Sequence, residues 1–173
     1  MNKAVFLDRD GTINEDIGYV YKIEDFKFIR GAIEGLQLLQ KNGFKLIVIT
    51  NQSGIARGYY SDSDFLKLND DMNRILKENG IFFDGIYYCP HLKEACDCRK
   101  PKTSLFYKAM LEHNIDFSKS YAIGDNIRDL SICEVEDVKG ILLSPNEDNQ
   151  LKYIMKRDLL SAASYIVCDM KIR

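Results

Sequence analysis

Short apolar runs that stop at polar residues alternate along this chain with stretches whose apolar positions recur every three or four residues. Ala4-Val5-Phe6-Leu7 is the first such run, and it stops at Asp8-Arg9-Asp10-Gly11-Thr12; a short apolar run bounded by turn formers predicts a buried strand. From Gly31 to Asn42 the residues Ile33, Leu36 and Leu39 fall at helical spacing and Gly43 supplies the C-cap, which predicts a crossover helix. Phe44 to Ile49 predicts a second strand, ending at Thr50-Asn51-Gln52-Ser53-Gly54. Ser61 to Asp64 is a capping-box-like start, with Asp in place of the usual Glu, for a helix that puts Phe65, Leu68, Met72, Ile75 and Leu76 on one face before Gly80 stops it. Gly85 to Tyr88 reads as a strand running into Cys89, Leu105 to His113 as a helix of imperfect period, Ser120 to Ile123 as a strand ending at Gly124-Asp125, and Val138 to Leu143 as another strand. A helix near Leu151 to Ala162 and a last strand over Tyr165 to Cys168 complete the expected pattern. Ile13 to Ile29 lacks a clean period and reads as a loop excursion over the sheet edge.

Alternating strands and helices call for an α/β fold with a doubly wound, mostly parallel sheet and right-handed crossovers. No repeat, low-complexity tract or linker divides the chain and no large cap domain is visible, so residues 1–173 are expected to form a single domain. In open sheets of this kind, ligands bind beyond the carboxyl ends of the strands. Polar residues fall there repeatedly: Asp8 and Asp10, then Thr50 and Asn51, then Asp125 and Asn126, with Lys100 nearby if the loop before it folds back.

Composition narrows the partners. Hydrophobic residues at 46% and charged residues at 29% lie in the ordinary globular range, and a net charge of −2 with no dense Lys/Arg segment argues against nucleic acid. No apolar run approaches the length of a membrane span and no leader-like segment precedes the first strand, so the expectation is a cytoplasmic protein without a membrane partner, monomeric by default. The absence of a Gly-x-x-x-x-Gly-Lys string excludes a P-loop kinase.

Residues two apart on a strand share a face, which brings Asp8 and Asp10 together if the extended form persists. Two such carboxylates repel unless a cation neutralises them, and Mg²⁺ suits hard oxygen ligands. Taken alone, the pair is equally compatible with two solvated acids at a strand end. Together with the other strand ends it suggests phosphoryl chemistry: Asp8 as a carboxylate nucleophile beside Mg²⁺, Asp10 as general acid and then base, and Thr50 and Lys100 holding the non-bridging phosphoryl oxygens.

At this point the chain resembles a known family. Asp8-Arg9-Asp10-Gly11-Thr12, Thr50-Asn51 after an apolar strand, Lys100, and Gly124-Asp125-Asn126-Ile127-Arg128-Asp129 resemble, in order, the motifs of haloacid dehalogenase superfamily phosphatases. The longer strings from Phe6 to Asn14, Thr50 to Gly58 and Cys96 to Pro101 are similar to those of the D-glycero-D-manno-heptose 1,7-bisphosphate 7-phosphatases, and the histidinol-phosphate phosphatases share most of them. The resemblance implies a phosphoric monoester hydrolase acting on a small phosphorylated sugar at C7, with histidinol phosphate or another small phosphate ester as the alternative. It implies Asp8, Asp10 and Asp125 as Mg²⁺ ligands, Asp10 through its carbonyl. It also implies substrate contacts from Asp16, Gly18, Tyr19, Asn51, Gln52, Ser53 and Arg99.

Cys89, His91, Cys96 and Cys98 place three sulfurs and one imidazole within ten positions, the donor set of a closed tetrahedral Zn²⁺ site. With four protein ligands no position is open to substrate, so the zinc is expected to be structural, holding Arg99 and Lys100 against the site. A catalytically silent zinc-bearing interaction module is the rival of a different class. His113 reads as a surface helix-end residue, Arg57 as an exposed loop arginine, and Cys133 and Cys168 as small buried or half-buried apolar residues. Asp129 is either a partner that orients Lys100, a group behind the metal, or a helix-face acid.

Overall fold

The computed structural model describes residues 1–145 and 152–172. Its centre is a six-stranded sheet in the order β3-β2-β1-β4-β5-β6, every neighbouring pair parallel. The strands are β1 (Ala4–Leu7), β2 (Lys45–Asn51), β3 (Gly85–Cys89), β4 (Tyr121–Gly124), β5 (Lys139–Leu143) and β6 (Ile154–Lys156); the helices are α1 (Ala32–Lys41), α2 (Asp62–Glu78), α3 (Ser104–His113) and α4 (Leu159–Ile172). A 3-10 helix, Ile127–Glu134, follows β4. Among the described residues, no helix is long and apolar enough to cross a membrane.

The strands read as continuous apolar runs because both faces of the sheet are covered. Val5 and Leu7 of β1, with Leu46 and Val48 of β2, point into one core with α1, α2 and α4. Ala4, Phe6, Ile47 and Ile49 point into the other, against Phe106 and Ala109 of α3 and Leu130 and Ile132 of the 3-10 helix. A side-chain period of two is therefore hidden in the sequence and restored by the packing. The chain moves outward from β1 to β3, then returns to place β4 on the other side of β1. That reversal leaves a crevice between the carboxyl ends of β1 and β4, where such sheets bind ligands.

The capping box at Ser61 is present: Ser61 Oγ accepts from Asp64 N at 3.1 Å, and Ser61 N donates to Asp64 Oδ2 at 2.8 Å. The C-terminal expectations fail. Of the helix expected near Leu151 to Ala162, Leu151 lies outside the described residues, Ile154–Lys156 is instead an edge strand paired with β5, and the helix begins at Leu159. The strand expected over Tyr165 to Cys168 lies inside α4. Local β propensity there yields to packing: Leu159, Ala162, Ala163 and Ile166 recur at helical spacing and are fully buried in the core shared with α1. Asp158 and Ser161 start this helix, Ser161 N donating to Asp158 Oδ1 at 2.8 Å and Asp158 N to Ser161 Oγ at 3.1 Å. Cys168 is exposed rather than buried, because it lies about 200° around the helix from Ile166.

The α1–α4 contact depends on Gly35, where a Cβ would lie 2.9 Å from the backbone carbonyl carbon and oxygen of Leu159. Helix propensity alone makes Gly35→Ala stabilising by about 1 kcal/mol. The contact predicts the opposite, a net loss of about 1–3 kcal/mol, to be read from urea unfolding midpoints of the two chains.

Candidate active site and cysteine-histidine cluster

β1 ends at Leu7, in register with Ile123 of β4 and Val48 of β2, and the next residue, Asp8, stands at the head of the crevice with its backbone N–H still donating to Ile123 O at 3.1 Å. Lys100 reaches it from the segment after β3. Its Nζ lies 2.8 Å from Asp8 Oδ1, 2.8 Å from Asp129 Oδ1 and 2.6 Å from the carbonyl of Ile49. Burial works against the lysine's charge, but Asp8 and Asp129 outweigh it and raise its pKa above the usual range. Burial dominates at Asp8, opposed by Lys100 and assisted by Asp129, and lifts its pKa to about 7. Asp125, delivered by the end of β4, is raised in the same direction by burial and by Asp129.

The carboxylates of Asp8, Asp125 and Asp129 each offer an oxygen within 4.8 Å of the others. Their closeness rests on two glycines. Gly11 has φ +84°, and a Cβ there would lie 2.3 Å from Asp125 Oδ2; at Gly124 a Cβ would lie 2.3 Å from Asp129 Cβ.

Asp10 behaves otherwise. The strand ends at Leu7, and the acids whose oxygens gather with those of Asp8 are Asp125 and Asp129, while the charge of Asp10 also acts on Asp8. Arg9 turns inward, is fully buried, and donates to Asp10 Oδ1 and Oδ2 at 3.0 Å and to Val20 O at 2.9 Å. Asn14 adds a donor to Oδ1 at 3.0 Å and Gln52 one to Oδ2 at 2.9 Å. The same Gln52 amide donates to Thr50 Oγ1 at 2.9 Å. Asn51 spends its amide on the backbone of Lys100, accepting from its N–H at 3.0 Å and donating to its carbonyl at 3.2 Å. The end of β2 thereby clamps the segment that carries the lysine.

These groups line one polar cleft of about 240 Å³. Its walls include every residue singled out for catalysis or substrate contact: Asp8, Asp10, Thr50 and Lys100 at the base, with Asn51, Gln52 and Ser53 from β2 and the loop after it, Arg99 before the lysine, and Asp16, Gly18 and Tyr19 from the excursion after β1. In that excursion Gly18 N donates to Asp16 Oδ1 at 2.9 Å, and both Gly18 and Tyr19 have positive φ, at +82° and +53°. The sequence reading passed over Arg9, Tyr60 and Arg128. Arg128 and Tyr60 also line the cleft. Periodicity could not have found Arg9, because the carbonyl that draws it inward belongs to Val20, eleven residues on. Asp129 takes the first of the roles weighed for it, pairing with Lys100. Arg57 is exposed, and His113 closes α3 with its Nε2 3.0 Å from Tyr87 OH.

The second cluster lies where β3 ends and the loop before Lys100 begins. Cys89 Sγ is 3.4 Å from Cys96 Sγ and 3.7 Å from His91 Nδ1, and Cys98 Sγ is 3.4 Å from Cys96 Sγ and 3.3 Å from His91 Nδ1. A tetrahedron with ~2.3 Å metal–sulfur bonds has edges of ~3.7 Å, so these four donors have the spacing of a single coordination sphere. Burial resists ionisation of Cys96, but hydrogen bonds from Cys98 and Cys89 outweigh it and draw its pKa down to about 6. Arg99 Nη1 donates to the carbonyl of His91 at 3.4 Å, and Lys102 pairs with Asp97 at 3.0 Å, tying the loop to itself.

Residues 3–139 match the family model described as polynucleotide kinase 3 phosphatase. The chain is 52% identical over 137 residues to the D-glycero-beta-D-manno-heptose-1,7-bisphosphate 7-phosphatase of Haemophilus influenzae, covering 75% of this chain and 74% of that one. It is 48% identical over 148 residues to the D-glycero-alpha-D-manno-heptose-1,7-bisphosphate 7-phosphatase of Campylobacter jejuni, covering 86% and 85%. Among solved structures it is similar to the D,D-heptose 1,7-bisphosphate phosphatase of B. bronchiseptica complexed with magnesium and phosphate, with a TM-score of 0.86, 26% identity, and coverage of 96% of this chain and 99% of that one. The parallel sheet, the acids at its switch point and these similarities together make the chain a member of the haloacid dehalogenase superfamily of phosphatases, in the family that the polynucleotide kinase 3 phosphatase model describes.

Proposed function

We propose that this phosphatase removes the C7 phosphate of D-glycero-D-manno-heptose 1,7-bisphosphate through an aspartyl-phosphate on Asp8. The observation that carries the reading is the carboxylate cluster anchored on Lys100 at the β1–β4 crevice, in a chain about half identical to relatives named for that reaction. The small polar cleft suits a phosphoryl group on a short sugar rather than a polymer.

The three clustered acids supply hard oxygen donors and more negative charge than Lys100 alone balances, so a divalent cation fits both the donor chemistry and the charge. In this reading Asp8, Asp125 and the Asp10 carbonyl hold Mg²⁺, with Asp129 supporting the lysine. Bound Mg²⁺ would neutralise the acids and draw charge off the phosphoryl oxygens. Asp8 attacks phosphorus while Asp10 gives a proton to the leaving sugar oxygen; in the second step Asp10 takes a proton from the water that releases phosphate. Thr50 donates its hydroxyl, and Lys100 its ammonium, to the non-bridging oxygens as charge builds on them. Asp16, Gly18, Tyr19, Ser53 and Arg99 line the side of the cleft where the sugar sits, while Asn51 and Gln52 act on substrate through Lys100, Asp10 and Thr50.

The Cys89, His91, Cys96 and Cys98 quartet fits Zn²⁺ in donor type and spacing. Filling all four positions makes the ion a brace: it fixes a loop with few buried apolar residues and aims Arg99 and Lys100 into the cleft.

Steady-state kinetics on the heptose bisphosphate, both anomers, against histidinol phosphate should show the higher kcat/KM for the sugar; the reverse preference would reassign the substrate. Asp8→Asn should lower kcat by more than about 10⁴-fold with an unchanged unfolding midpoint, since Asp129 still pairs with Lys100; normal turnover would remove Asp8 from the chemistry, whereas a wild type inactive on every phosphate ester would favour the silent zinc module. Atomic absorption should find one zinc per chain, and Cys98→Ser should lose it and lower the thermal midpoint; a metal-free chain of equal stability would refute the brace.

A further inference from the structure

One residue lining the cleft has no part in the reaction described above, and it reaches three that do. Tyr60, 6% exposed, donates its hydroxyl to Gln52 Oε1 at 2.6 Å, and Gln52, 3% exposed, points its amide nitrogen at both Asp10 Oδ2 and Thr50 Oγ1, each at 2.9 Å. We propose that Tyr60 is a positioning residue for the hydrolysis, setting through Gln52 the orientation of Asp10 and the direction of the Thr50 hydroxyl. The proposal rests on the phosphatase reading above and on the roles it gives Asp10 and Thr50.

Polarity decides the arrangement. A primary amide has one accepting and one donating end, and rotation of the Gln52 side chain would exchange them. Both carboxyl oxygens of Asp10 accept here, Oδ1 from Arg9 and Asn14 and Oδ2 from Arg9 and Gln52, so the productive orientation puts the amide nitrogen toward Asp10. Tyr60 enforces it from the other end, because a phenol hydrogen pointing at the amide rewards only the carbonyl. Burial, assisted by Asp10 and opposed by Arg9, pushes the Tyr60 pKa up to about 12, so the hydroxyl keeps its proton. Thr50 Oγ1, once it accepts from Gln52, has its own hydrogen left to give, and the cleft is where a phosphoryl oxygen can take it. One phenol thus sets, through Gln52, a contact to Asp10 and a contact to Thr50.

The ring of Tyr60 is itself held. It stacks on Tyr21 with centroids 5.1 Å apart and planes 8° from parallel, and it passes so close to Gly54 that a Cβ there would lie 2.1 Å from its Cε1. Removing the hydroxyl alone leaves this packing in place, which makes Tyr60→Phe a clean probe.

The test compares kcat/KM of wild type, Tyr60→Phe, Gln52→Leu and the double variant on the sugar bisphosphate, whose leaving alkoxide needs a proton, and on p-nitrophenyl phosphate, whose leaving group needs none. Tyr60→Phe should lose about tenfold on the sugar ester, the factor that one well-made hydrogen bond commands, and clearly less on the nitrophenyl ester. It should lose nothing further in the Gln52→Leu background. Equal losses on both esters, or a second tenfold loss in that background, would overturn the proposal. An NMR readout is independent of turnover: the Gln52 side-chain amide signals should be displaced and slow to exchange in the wild type and relax toward free-amide positions in Tyr60→Phe. Unchanged signals would overturn the proposal, whereas a wild type that hydrolyses neither ester would overturn the phosphatase reading and leave the NMR result to judge Tyr60.

Discussion

The arrangement depends on one buried cation shared between acids. Lys100 Nζ sits 2.8 Å from both Asp8 and Asp129, with only 2% of the lysine side chain exposed, in a place that would otherwise gather carboxylates and nothing to balance them. Buried ion pairs seldom add much stability, since desolvation consumes most of the Coulombic gain. What this one secures is position: a carboxylate and an ammonium held at the same point of a crevice. The rest of the molecule serves that point. β1 and β4 deliver acids from opposite sides of the switch in strand order, the end of β2 clamps the lysine's backbone through Asn51, and the cysteine-histidine loop carries the lysine in from β3.

Much of this was legible in the residues. Apolar runs ending in polar ones marked β1 to β5, and the acids at their ends marked the crevice, because parallel strands buried on both faces leave little room for polar residues except at their ends. The unusual clustering of three thiols and one of only two histidines marked the second site. The failures also have physical causes. Tyr165 to Cys168 favours a strand locally, and only the packing of Leu159, Ala162, Ala163 and Ile166 on α1 overrides it. Arg9 sits between two acids and so reads as a surface charge, yet it is buried beneath Asp10 because Val20 returns to offer its carbonyl. Asp8 also comes together with Asp129, across 121 residues, a proximity that no local spacing encodes.

The excursion after β1 and the loop after β3 share a design. Each is fastened in part by polar contacts: Arg9 to Val20 in the first, where Ile13, Val20 and Phe26 also reach the core, and the sulfur and imidazole donors and the Lys102–Asp97 pair in the second. Segments placed over a rigid sheet edge are where recognition diverges most readily among proteins of one fold. That division fits a family whose relatives are named for opposite anomers of one sugar.

Gly11 and Gly124 carry a consequence beyond backbone freedom. The oxygens of Asp8, Asp125 and Asp129 crowd together only because no methyl group stands beside Asp125 or Asp129. Asp125 packs against the bare Cα of Gly11, and Asp129 against that of Gly124, at distances no Cβ could share. Two missing side chains therefore leave the space in which acids from the end of β4 and the turn after it can reach the head of β1, so the crevice owes its charge as much to atoms the chain lacks as to those it has.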